Sequence, residues 1–269
     1  MTAILPTITI GGPDPLPVPV AAHAAGRFAE AGVIVLKDLL PPDRVAAVNN
    51  AYDEIYGSNI PPHRIKEVGD GRAMITLAIE DEFASPDIFA NPVALSIVAE
   101  LLGVDFILGS YVAVTSQPGA AAQGDHADQA GLFEDIDLDA SVPPYSVTLV
   151  IPLVALNGMT GSTRFYPGTH RDPEAGDLTM IAPDAEPGDA ILFDSRILHG
   201  GQANRSDAPR PILYCTYHRA WYRDVSNFRD MPAVIVDDVV FDGMTDAQRR
   251  LISWSRREFY DRSVSASGR

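Results

Sequence analysis

Cysteine is almost missing from this chain. Cys215 stands alone, so no disulfide can form within the chain, and a reducing cytoplasm is the expected location. Lysine is nearly as scarce: only Lys37 and Lys66 occur, and arginine supplies the remaining basic residues. Basic residues number 20 against 36 acidic ones, for a formal charge of −16. That deficit excludes nucleic acid or an anionic membrane surface as the main partner, because both demand basic patches. Long apolar runs are absent as well. None reaches the ~18 residues that would mark a membrane-crossing helix, so no membrane partner is expected. The first residues lack a cationic stretch followed by an apolar one, and Pro6, Pro13, Pro15, Pro17 and Pro19 interrupt them. No signal peptide is expected.

What is present is an ordinary globular composition, 46% hydrophobic and 21% charged over 269 residues. That length can bury one large β-rich core. With no internal repeat and no clear linker, residues 1–269 are expected to form a single domain. Residues 1–19 read as an extended, proline-rich surface arm, and 20–104 as a helical part. Within that part, helices are expected over 20–31, from Pro42 to about Ile55, and over 93–102, with a short strand Val33–Leu36 and a loop over 57–71. From Asp105 the character turns to β. Strands are expected at Phe106–Ser116, Ser146–Leu156, Leu178–Ile181, Ala190–Phe193 and Ile212–Trp221, each bounded by Pro, Gly or Asp. Many short strands with turn signals between them point to a sandwich or jelly roll over 105–222, followed by a C-terminal extension over 223–269 with helical signals at 245–260.

The stretch Gln123-Gly-Asp-His126-Ala-Asp128 carries the chemistry. Residues i and i+2 on a strand or its rim share a face, so His126 and Asp128 could bind one metal ion together. His199, in Leu192-Phe-Asp-Ser-Arg-Ile-Leu-His199-Gly-Gly, is the candidate third ligand. Two histidines and one carboxylate leave positions open, which suits a non-heme Fe(II) oxygenase. The spacing alone is a weak signal and leaves ordinary rim polarity open, since the chain has 6 histidines to offer. Cys215 lies in the apolar run Ile-Leu-Tyr-Cys-Thr-Tyr and reads as a small core residue.

Four stretches then fall in one order. They are Gln117-Pro-Gly119 through Asp128, Gly161-Ser-Thr-Arg-Phe-Tyr-Pro-Gly-Thr-His-Arg171, Glu186-Pro-Gly-Asp through His199-Gly, and Arg210-Pro-Ile-Leu. Together they resemble the phytanoyl-CoA dioxygenase family of Fe(II)/2-oxoglutarate oxygenases over roughly 105–222, with a weaker echo at 26–48. The resemblance implies a mainly β, cupin-like double-stranded β-helix with flanking helices. It implies iron held by His126, Asp128 and His199, with 2-oxoglutarate and O2 as cosubstrates. Arg210 would begin a strand beside the one carrying His199 and grip the distal carboxylate of 2-oxoglutarate with its planar fork. Thr163 and Gln123 match positions that contact the cosubstrate in some members. His170 falls in a structural turn and is left out. Phe133, Tyr111, Met74 and Trp221 could line the substrate pocket.

The implied reaction oxidises an unactivated C–H bond of a small molecule and releases succinate and CO2. Hydroxylation in a secondary-metabolite tailoring step is the expectation. Halogenating relatives replace the ligand carboxylate with a small residue, and Asp128 is present here, which disfavours halogenation. One alternative is an acyl-CoA hydroxylase like the family's namesake, against which the −16 charge argues. Another is a metal-binding jelly roll without oxygenase activity, which would need no 2-oxoglutarate anchor at Arg210. Nothing in the sequence fixes an oligomeric state.

Overall fold

A computed structural model describes residues 4–58, 60–129, 131–172 and 179–266. The strands are β1 (Thr7–Thr9), β2 (Val33–Lys37), β3 (Ile65–Glu67), β4 (Arg72–Thr76), β5 (Phe106–Ser116), β6 (Ser146–Pro152), β7 (Thr163–Phe165), β8 (Ala190–Asp194), β9 (His199–Gly201) and β10 (Arg210–Arg219). The helices are α1 (Val18–Ala31), α2 (Pro42–Tyr56), α3 (Pro86–Phe89), α4 (Pro92–Leu102), α5 (Ile136–Ser141), α6 (Asp238–Gly243) and α7 (Asp246–Ala266). Eight strands form one sheet in the order β1-β2-β8-β6-β10-β5-β4-β3, and β7 pairs with β9 in a second. Isolated bridges join Leu156 to Ala185, and Phe165 of β7 to Ile181.

The pleat divides the large sheet's side chains between two environments. Leu213, Cys215 and Tyr217 of β10, with Tyr111 and Ala113 of β5, pack into one core with Phe28 of α1, Val48 of α2 and Ile97 of α4. Tyr214 and Thr216 of β10, with Ser110, Val112 and Val114 of β5, face the other way and line a cavity. A second core fills the space between the sheets, with Val33, Val150, Phe165, Ile191, Phe193 and Ile212. Phe28, Phe83 and Phe89 are fully buried, and each contributes roughly 1.5–3 kcal/mol.

Local signals set the helix ends. Pro42 and Pro92 occupy the first turns of α2 and α4, where a missing N–H costs nothing. The Asn91 Oδ1 atom accepts from the Val93 and Ala94 amides at 3.1 Å and caps α4. Gly32 closes α1 in the left-handed conformation, φ 77°.

The structure corrects several expectations. Residues 7–9 do not trail over the surface: β1 pairs in parallel with β2, and Leu5 and Ile10 are buried. The 57–71 loop contains β3, which pairs with β4. The strand from Ser146 stops at Pro152, and Leu156 bridges Ala185 instead. Of the strand expected at Leu178–Ile181, Leu178 lies outside the described residues and Ile181 makes only a bridge to Phe165. Arg210 begins β10, but β10 runs between β5 and β6, while the strand carrying His199 pairs with β7. Cys215 is buried in the helix-side core, and burial pushes its thiol up, as an inert core residue requires.

His218 is buried at 1% exposure, and its ring fills the space that a side chain at Gly109 would take. Burial pulls its pKa down from 6.5 to about 4, with Arg223 reinforcing the fall and Asp224 opposing it. The unfolded chain therefore takes up this proton near pH 6.5, and the folded chain only near pH 4. The resulting stability is complete above ~6.5 and is lost as pH falls toward ~4, by about 3 kcal/mol in all. Melting temperatures followed from pH 7 to pH 4 should show this slope, and His218→Gln should flatten it. An unchanged slope in that variant would assign the acid sensitivity to other groups.

Candidate metal centre

His126 and His199 meet through their backbones. The His126 amide donates to the His199 carbonyl and the His199 amide to the His126 carbonyl, both at 2.8 Å. A residue pair that exchanges both bonds sets its side chains on the same face. The ring centroids are 4.6 Å apart. Each ring turns its Nδ1 to a carbonyl two residues back: His126 to Gly124 at 3.0 Å, His199 to Ile197 at 2.9 Å. A proton on Nδ1 leaves the Nε2 lone pair of each ring open. The Asp128 Oδ1 atom lies 3.8 Å from His126 Nε2 and 3.6 Å from His199 Nε2. One ligand atom from each of the three residues falls within 4.8 Å of the others. Burial lowers the His199 pKa and favours the neutral, ligating imidazole. Its ring rests against Phe193 at 4.9 Å.

The surroundings hold this geometry. The Arg164 Nε atom donates to Asp125 Oδ1 at 2.6 Å, and Tyr166 OH donates to Asp125 Oδ2 at 2.8 Å, so β7 and the residue after it pin the loop that carries His126. After Asp128, the Gln129 amide donates to the Ser195 carbonyl at 3.0 Å, and its Nε2 donates to Asp224 Oδ2 at 2.6 Å. Tyr222 OH donates to Gln129 Oε1. Gly201 leaves room for Gln123, whose Oε1 would stand 2.7 Å from an added Cβ.

A second feature opens on the same cavity. In neighbouring strands, Arg72 of β4 and Arg210 of β10 both pair with Ser116 of β5. The Ser116 Oγ atom accepts from Arg72 Nε at 2.7 Å and from Arg210 Nη2 at 2.8 Å. Arg72 is 3% exposed and Arg210 2%. Neither forms an ion pair among the described residues, and the Arg210 Nε atom has no hydrogen-bond partner. Burial lowers both pKa values, that of Arg210 to about 10; the Arg72 charge adds to the fall at Arg210, and the Arg164 charge adds to the fall at Arg72. Two buried cations without a counter-charge are costly, so the place calls for an anion. Arg72 lines the cavity wall and Arg210 stands behind it. The cavity measures about 570 Å³ and holds His126, Asp128 and His199 together with Arg72, Gln123, Thr163 and Tyr214.

The structure thus gathers the sequence-predicted residues unevenly. Gln123 lines the cavity, but its Nε2 donates to the Val68 carbonyl at 2.9 Å and its Oε1 accepts from the Gly201 amide. Thr163 lines it too, hydrogen-bonded to Tyr214. Met74 is in the wall; Tyr111 is in the helix-side core, and Phe133 and Trp221 are exposed. His170 hydrogen-bonds the Ala29 carbonyl at 3.2 Å, away from the cavity. Sequence reasoning missed Arg72, because its partners come from β5 and from the loops at Ala121 and Gln202.

Comparisons with known proteins identify the family and the fold. The family model described as Phytanoyl-CoA dioxygenase (PhyH) matches residues 28–212, so the likeness starts well before Asp105. The chain is 27% identical over 243 residues to dioxygenase trt7 of Aspergillus terreus, covering 86% of this chain and 83% of that one. It is 28% identical over 239 residues to dioxygenase cdmA of Talaromyces verruculosus, covering 83% and 79%. Among solved structures, the non-heme α-ketoglutarate-dependent carbocyclase SnoK from nogalamycin biosynthesis superposes with a TM-score of 0.61 at 18% identity, covering 81% of this chain and 93% of that one. HygX of Streptomyces hygroscopicus, solved with nickel and 2-oxoglutarate, gives 0.58 at 12% identity, covering 80% and 95%. These structures share the jelly-roll fold expected from the sequence.

Proposed function

Because the chain belongs to the phytanoyl-CoA dioxygenase family, and so is a non-heme iron, 2-oxoglutarate-dependent dioxygenase, we propose how its residues divide the work. His126, Asp128 and His199 hold the ferrous ion. Arg72 and Arg210 share the distal carboxylate of 2-oxoglutarate, with Thr163 and Gln123 beside its chain. The observation that carries this reading is the meeting of a two-histidine, one-carboxylate set and Arg72 in one cavity, with Arg210 behind Arg72 and no counter-charge to either arginine among the described residues. Ferrous iron with 2-oxoglutarate and O2 supplies the oxidant, and the cosubstrate leaves as succinate and CO2.

The protein's own part is orientation and exclusion of water. The backbone carbonyls of Gly124 and Ile197 fix both imidazole tautomers. The guanidinium pair aims one end of the cosubstrate, and Met74, Val112 and Val114 give the cavity an apolar side. The substrate is a small molecule, and the reaction we favour is hydroxylation in the tailoring of a secondary metabolite. SnoK and a second solved structure, the non-heme α-ketoglutarate-dependent epimerase SnoN, are both described as from nogalamycin biosynthesis, which supports a tailoring role; neither is named for hydroxylation. An acyl-CoA substrate is disfavoured, since a polyanionic thioester would meet a chain of charge −16 whose buried arginines are already assigned.

The test supplies Fe(II), 2-oxoglutarate and O2 and measures succinate. Formation of succinate that depends on both iron and 2-oxoglutarate is expected. A protein that takes up iron yet neither binds nor consumes 2-oxoglutarate would be a metal-binding jelly roll instead. The same assay, run with a turned-over substrate and excess bromide, should give no brominated product, because Asp128 fills the place a halide needs. An isotope doublet in the product mass would overturn the ligand role of Asp128.

A further inference from the structure

One wall of the cavity is used neither by the metal ligands nor by the arginine pair. Ser110, Thr148, Ser195 and Thr216 all line it. Strand pairing sets Thr216 of β10 opposite Ser110 of β5 on one side and Thr148 of β6 on the other. Three of these hydroxyls, those of Thr216, Thr148 and Ser195, form a relay that ends on Ser146. Thr216 Oγ1 lies 3.2 Å from Thr148 Oγ1, which lies 3.5 Å from Ser195 Oγ, and that atom lies 2.7 Å from Ser146 Oγ. Ser146, Thr148 and Ser195 are each 1% exposed. His218, opposite Ser146, continues the row on β10, and neither of its buried ring nitrogens has a hydrogen-bond partner.

Packing alone does not account for such a wall. Valine matches threonine in size, and a buried hydroxyl costs free energy unless it is paired. On the opposite face of the same strands, Leu149, Leu213, Cys215 and Tyr217 pack into an apolar core, so the hydroxyls are confined to the cavity side. Each hydroxyl brings one proton and two lone pairs. The relay joins four hydroxyls by three contacts, and Ser110 adds a fifth, so about two protons and seven lone pairs stay unused by this count. The wall offers more acceptors than donors.

We propose that this wall is a subsite for an alcohol group of the substrate, which donates its proton to the row formed by Ser110, Thr148, Ser195 and Thr216. The substrate class is thus a hydroxylated small molecule rather than a bare hydrocarbon or a ketone. This rests on the oxygenase reading above, since the wall borders the proposed metal site. Arg210 and Thr216 lie at positions 210 and 216 of one strand, about 20 Å of extended chain apart. A group seated at Thr216 therefore leaves the arginine pair free for 2-oxoglutarate.

The test uses the full chain loaded with 2-oxoglutarate and zinc, which has no redox chemistry and allows no turnover. The probes are shape-matched pairs, borneol with camphor and 2-decalol with 2-decalone, and the readout is Kd by calorimetry. Each alcohol should bind about tenfold or more tightly than its ketone, the factor that one hydrogen bond carries. Thr216→Val and Ser195→Ala should each erase most of that preference. Thr216 is only half-buried and Ser195→Ala only shrinks a side chain, so both variants should keep the fold; a 2-oxoglutarate titration of each checks this. The assignment is overturned if the ketones bind as tightly as the alcohols, if no alcohol binds, or if both variants keep the wild-type preference. A wild-type chain that fails to take up 2-oxoglutarate would sink the oxygenase reading itself. Uptake of 2-oxoglutarate without alcohol preference would sink the subsite alone.

Discussion

Alanine in place of His126, Asp128 or His199 should abolish iron-dependent turnover. Loss of a mere outer partner of a metal ligand costs about 10–100-fold in affinity or activity, and loss of the ligand itself should exceed that range. The fold should survive at two of the three positions, because the side chains of His126 and Asp128 are 41% and 34% exposed. His199 is different: it is buried against Phe193 and Phe165, and its alanine variant leaves a cavity. His199→Gln keeps the volume and separates lost ligation from lost packing. Bound iron by mass spectrometry, succinate by turnover and melting temperature together decide the matter. A variant with wild-type iron content and wild-type turnover removes that residue from the triad.

Removing either buried arginine should weaken 2-oxoglutarate binding roughly thirtyfold or more, since a lost charge-assisted contact of this kind costs on the order of 2–5 kcal/mol. Arg210→Lys should restore only part, because an ammonium is a point charge without the fork. The pairing of both arginines with Ser116 adds a second expectation. Without the cosubstrate the two guanidiniums repel each other, so removing one relieves as well as harms the free protein. The stabilisation that 2-oxoglutarate confers should shrink accordingly, whereas the melting temperature without it should change less. Bound ligand stabilises by RT ln(1 + [L]/Kd), so the shift in melting temperature follows affinity directly. An unchanged dissociation constant in Arg210→Ala would leave Arg72 as the anchor, and an unchanged value in both would place the anchor elsewhere.

The long strands were legible because their side chains announce them. Phe106–Ser116 and the run from Ile212 are dense in β-branched and aromatic residues. The short strands were not. His199-Gly-Gly has no strand propensity, and β9 exists because β7 and the His126 bridge hold it. The same holds for Thr7–Thr9, which becomes a strand by pairing with β2. In the site, His126 and Asp128 could be read together because they are neighbours in sequence. Arg72 could not, since its value lies in a register: nothing in Gly-Arg-Ala-Met says that the arginine will stand beside Ser116. The hydroxyl wall was hidden for the same reason, being drawn from β5, β6, β10 and the turn after β8.

The reciprocal backbone bond between His126 and His199 also bears on how the chain reaches its fold. Residues so far apart in sequence meet only after the intervening strands β6, β7 and β8 have found their places, and β2 must pair with β8 across most of the chain. Sheets built from such distant partners close slowly, because loop entropy is lost before the contacts that offset it form. The proposed metal site is therefore assembled late. An iron ion has nowhere to bind while the chain is still searching, so it cannot nucleate the fold. Added metal should slow unfolding and leave the refolding rate of the chain unchanged.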